Sequence, residues 1–125
     1  PRSTLFPYTT LFRSSIIMYD KYIKDSVLKL QNIGIETTAS CQGHRDYGEK
    51  YPWIDIKKEG VEKISIFLKF NNNVIIEPMG IFGAGRLKPV EGLSLKNGRS
   101  ILNCFVCFVY ESLKNENSSD TFIGK

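Results

Sequence analysis

Apolar residues recur at spacings of three and four through Ile16, Tyr19, Ile23, Val27 and Leu30, with Asp20, Lys24 and Lys29 between them. That period lines one face of an amphipathic helix, and Gly34 is placed to end it by taking positive φ. The next stretch, IETTASC, alternates instead, with Ile35, Thr37, Ala39 and Cys41 against Glu36, Thr38 and Ser40. Its β-branched content predicts a strand whose first set faces the core. QGHRDYGEKYP is polar and closes on Pro52, so it reads as a loop. PWIDIK predicts a second short strand, Ile54 and Ile56 on one face and Trp53 and Asp55 on the other.

A second helix opens at Glu59 and buries Val61, Ile64, Phe67 and Leu68, until the Asn run at 71–73 breaks it. VIIEPMGIF and RLKPVEGLSL predict two extended segments around a turn at Gly83-Ala84-Gly85, with Pro78 and Pro89 marking edges or bulges. RSILNCFVCFVYESLKN then carries a stripe of Leu102, Phe105, Val109 and Leu113, widened by Val106 and Phe108. It predicts a core helix in which Cys104 and Cys107 serve as small hydrophobes. The polar end, 115–125, predicts a disordered tail. The order α-β-β-α-β-β-α implies an α+β domain, a small sheet of about four strands with helices packed on one face.

The opening PRSTLFPYTTLFRS, residues 1–14, fits neither period, and Pro7 forbids a continuous helix through it. Back-translated, it resembles a common short-read sequencing adapter over its full length. Such a segment is set aside from fold reasoning, which leaves 111 of 125 residues and places one domain at 15–114. Removing Arg2 and Arg13 from 17 basic residues leaves 15 against 13 acidic ones, a net of +2. That balance gives no electrostatic argument for nucleic acid. No apolar run approaches a membrane span. The three cysteines, an odd number without a secretory signal, point to reduced thiols and a cytoplasmic setting.

Chemistry concentrates where the first strand meets the loop. Cys41 and the single histidine, His44, are three residues apart across Gly43, which permits a sharp turn. A thiol beside an imidazole can act as nucleophile with its base, since a nearby imidazolium lowers the thiol pKa from about 8.5. Ser40, Gly43, Arg45, Trp53 and Arg86 are the expected ligand contacts, with Arg45 or Arg86 engaging an anionic, nucleotide-like group. The primary expectation is binding of a ligand or partner through the Cys41–Trp53 loop, a small molecule or protein. A Cys41/His44-dependent enzyme is the first alternative. A zinc module formed by Cys41, His44, Cys104 and Cys107 is the second, and the expected cofactor is otherwise none. Tyr47, Tyr51 and Trp53 near Arg45 leave base stacking open. MGIFGAGR lacks the spacing of known phosphate loops and reads as a hairpin turn.

GIETTASCQGH followed by PWIDI resembles small uncharacterised bacterial and phage proteins with a G-I-x-T-x-x-S-C-x-G-H … P-x-I pattern, matched at Ser40, Cys41, Gly43, His44 and Pro52. The likeness implies a family and no activity. Thr37 to Gly43 is also similar to the T-T-S-S-C-S-G-R motif of the tRNA wybutosine-synthesis methyltransferase, with His44 standing where that motif has Arg.

The adapter reading makes a direct prediction. A chain beginning at Ser15 melts within about 2 °C of the full chain, a change of well under 1 kcal/mol, because an adapter-encoded segment was never selected to pack; calorimetry of the two proteins checks it.

Overall fold

The computed structural model describes residues 21–46 and 48–123, with the backbone alone for 115–123. Residues 1–14, and Ile16 and Tyr19 of the predicted first stripe, lie outside the described residues. Helix α1 (Lys24–Asn32) buries Val27 and Leu30 together with Ile23 just before it. It ends as its sequence implies: Gly34 takes φ of 85°, its N–H donates to Gln31 O at 3.0 Å, and Ile35 N–H reaches Leu30 O at 2.9 Å. This pair of bonds satisfies carbonyls that a helix end otherwise leaves orphaned.

Four strands follow, β1 (Thr37–Cys41), β2 (Trp53–Ile56), β3 (Val74–Met79) and β4 (Ala84–Pro89), with helix α2 (Lys58–Ser65) and a 3-10 turn (Leu68–Phe70) between β2 and β3. The sheet is antiparallel in the order β1-β2-β4-β3. Helix α3 (Leu95–Ile123) completes the α+β domain. Ile54, Ile56 and Leu87 are fully buried on the helical side of the sheet, where they join Ile64, Leu102, Phe105, Val106 and Val109 in one core.

Four local expectations change. Thr37 opposes Ile56, but Ala39 already opposes Asp55, so β1 holds one extra residue at Thr38. Side chains alternate strictly in a strand, so one inserted residue exchanges the faces beyond it. Ile35 and Thr37 keep the core side, whereas Ala39 and Cys41 share the other face with Asp55 and Trp53. The hairpin turns at Gly80 to Gly83, both with positive φ, and Ala84 and Gly85 belong to β4. Helix α3 begins at Leu95 because Ser94 caps it, Asn97 N–H donating to Ser94 Oγ at 3.1 Å. Its backbone continues through 115–123, the predicted tail, where the sequence has no Gly or Pro stop before Gly124. Finally, Cys104 and Cys107 are exposed, while their neighbours Phe105 and Val106 point inward; a helical stripe holding 102, 105, 106 and 109 turns positions 104 and 107 away from the core.

Gly60 lets α2 settle on the first strand's approach: a Cβ there would lie 2.7 Å from Cγ2 of fully buried Ile35. In an open helix Gly→Ala gains about 1 kcal/mol. Overpacking costs about 1–3 kcal/mol and decides the sign. Gly60→Ala therefore lowers the urea midpoint by the equivalent of about 1 kcal/mol.

Candidate functional site

The site begins with the backbone that leaves β1. Gly43 is buried, takes φ of 85°, and would bring a Cβ to 2.5 Å from Leu95 Cδ1 and 2.8 Å from the Tyr51 carbonyl carbon. Only glycine fits both the left-handed backbone and the close approach. From α3, Arg99 donates through Nε to Gln42 O at 2.8 Å and through Nη2 to Gly43 O at 3.0 Å. The same guanidinium lies over the Tyr22 ring, 4.3 Å from its centroid. Tyr22 is tied in turn: its N–H donates to Gln42 Oε1 at 3.2 Å and its carbonyl accepts from Asn103 Nδ2 at 2.9 Å, while Ser26 Oγ donates to Asn103 Oδ1. One cation thus joins the start of α1, the end of β1 and the second turn of α3. On the far side, His44 N–H donates to Glu49 O at 2.8 Å and closes the loop on itself.

Held this way, Cys41 Sγ lies 3.3 Å from His44 Nε2 and accepts the Gly43 N–H at 3.4 Å. Both side chains are half-buried. The arrangement places a backbone donor and an imidazole nitrogen on the sulfur, the contacts through which a thiol and a base can exchange a proton. The expected pair is therefore assembled, on the open face of the sheet and not on its core side. Ser40, opposite Ile54, belongs to the helical side and is separated from Cys41 by the sheet itself. Arg45 stands exposed on the loop.

Trp53 opposes Cys41 across β1 and β2, which joins the pair to the rest of the open face. The Arg86 guanidinium lies over the indole, its Cζ 3.7 Å from the ring centroid, and makes a two-pronged bond to Asp55, 2.7 Å from Nε and 3.1 Å from Nη2. That bond pushes the guanidinium pKa up, against the lowering effect of burial. Arg86 and Trp53 are brought together as a stacked ion-pair platform, and an anion reaching Arg86 would compete with Asp55. Lys88 repeats the pattern, paired with Glu77 at 3.2 Å and over the Tyr51 ring at 4.9 Å. A cavity of about 150 Å³ opens beside Tyr51, lined by Lys50, Lys88, Pro89, Leu93 and Ser94. It is well below the roughly 300–1,000 Å³ of sites that enclose a drug-sized ligand.

The four residues of the zinc alternative are not gathered: Cys104 and Cys107 stand exposed on α3, and the described residues hold no group of three or more His, Cys, Asp or Glu placed for a metal. None of the cysteines is in a disulfide. Arg99, Asp55, Lys88 and Tyr22 escape a reading of the sequence, since each acts on a partner that only the sheet order or the α1–α3 packing brings near. Comparison with family models, with curated proteins and with solved structures finds no match for this chain.

Arg99→Met keeps an unbranched apolar stem against Tyr22 but leaves the Gln42 and Gly43 carbonyls without their charged donor. Hydrogen bonds to charged groups contribute about 1.5–3 kcal/mol, so stability falls by about that much. Hydrogen exchange of the His44 amide should accelerate together with the global unfolding signal or ahead of it.

Proposed function

We propose that the chain binds a ligand or partner through the loop from Cys41 to Trp53, with the Cys41–His44 pair as its contact point. The 3.3 Å approach of Sγ to Nε2 carries this reading. Its support is the loop's construction: Arg99, Gly43 and the His44–Glu49 bond hold the backbone, while Arg45, Asp46 and Glu49 are exposed. A preorganised loop loses less conformational freedom on binding than a mobile one. The small cavity, about 150 Å³, favours a small molecule or a protein surface over a large enclosed cofactor. A cytoplasmic setting, which keeps thiols reduced, belongs to the same proposal. Among the described residues no helix is long and apolar enough to cross a membrane.

The same distance favours a second reading, in which the pair does chemistry. His44 Nε2 takes the Cys41 proton, the sulfur attacks an electrophilic centre, and the imidazolium returns the proton to the leaving group. Arg45, or Arg86 in competition with Asp55, then engages an anionic substrate.

Two measurements separate the readings. In a fragment screen followed by amide chemical shifts, binding concentrates perturbations at 41–53, and His44→Ala removes them at unchanged urea midpoint; perturbations clustered elsewhere overturn the proposal. For the chemical reading, iodoacetamide at about pH 6.5, some two units below an ordinary thiol pKa, modifies Cys41 ahead of the more exposed Cys104 and Cys107, and His44→Ala abolishes that preference. Modification in order of exposure leaves binding alone.

A further inference from the structure

Cysteine is among the most buried residue types, yet Cys104 and Cys107 are both exposed on one turn of α3. Packing does not account for them, because the core side of that turn is filled by Phe105 and Val106, at 1% and 0% exposure. Residues three apart on a helix are neighbours on its surface, with Cβ atoms about 5–6 Å apart. Two thiolates on side chains at that spacing can turn toward each other and hold one metal ion between them without bending the helix. Phe108, four residues beyond Cys104, lines the same stripe and is 42% exposed, so one flank of the dithiol is apolar.

From this geometry we propose that Cys104 and Cys107 form a two-thiolate site for a soft monovalent cation, of which Cu(I) is the type. Soft thiolate ligands select such ions. A closed zinc shell takes four ligands, and the described residues place no third His, Cys, Asp or Glu for a metal here. Binding releases the two thiol protons to solvent, forms two metal–sulfur bonds and transfers no electron. The site lies on α3 and shares no ligand with the Cys41–His44 pair.

The test is an anaerobic titration of the full chain with Cu(I), competed against a colorimetric Cu(I) chelator, with sedimentation to follow the oligomeric state. One equivalent binds per chain to a monomer. Cys104→Ser and Cys107→Ser each weaken binding beyond the roughly 10–100-fold that outer-shell partners are worth; both positions are exposed, and urea midpoints confirm that the variants fold. Cys41→Ser and His44→Ala leave the affinity unchanged. The proposal is overturned if affinity follows Cys41 or His44, if either α3 serine variant binds as tightly as the parent, or if half an equivalent binds with dimer formation.

Discussion

The extra residue at Thr38 is the constraint on which the domain's two-sidedness depends. One face of the sheet is covered by helices, so every strand must keep its apolar set on that side, and the side-chain period of two leaves no latitude. Ile35 is needed under α2, while the end of β1 must present Cys41 to the opposite side, next to Trp53. A regular strand from 35 to 41 would place Ile35 and Cys41 on the same face. The bulge reconciles them, and with it the core and the candidate site become separable: substitutions on one face need not disturb the other.

The second dependence runs through Arg99. Backbone carbonyls leaving a strand into a loop must find donors or remain hydrated, and those of Gln42 and Gly43 are met by one guanidinium from a helix more than fifty residues later. Arg suits this because its planar fork donates along two directions while its face stacks on an aromatic ring, here Tyr22. The shape of the loop is therefore a tertiary property. It exists once α1 and α3 have packed.

This explains what could be read from the sequence alone. The helical stripe at Ile23, Val27 and Leu30, the stop at Gly34 and the alternation of Trp53 to Ile56 are local patterns, and they correctly imply an α+β domain with the element order observed. The meeting of Cys41 with His44 was also within reach, since three residues and a glycine separate them. Arg86 with Asp55 was not: β2 and β4 are neighbours only because β4 inserts beside β2 and leaves β3 at the edge. Likewise, the outward turn of Cys104 and Cys107 follows from which of several apolar stripes α3 buries. ILNCFVCFVY is apolar on more than one side, so its periodicity does not choose.

Both outer strands carry an interruption. On β1 it is the bulge at Thr38; on β3 it is Pro78, which offers no N–H. An unbroken edge is a template on which another chain can extend the sheet, and irregular edges, like prolines, spoil that template. The bulge that sorts the faces of the domain thus has a second effect at the level of many molecules. It biases the protein against growth by strand addition, so that contacts with other molecules fall to its loops and faces.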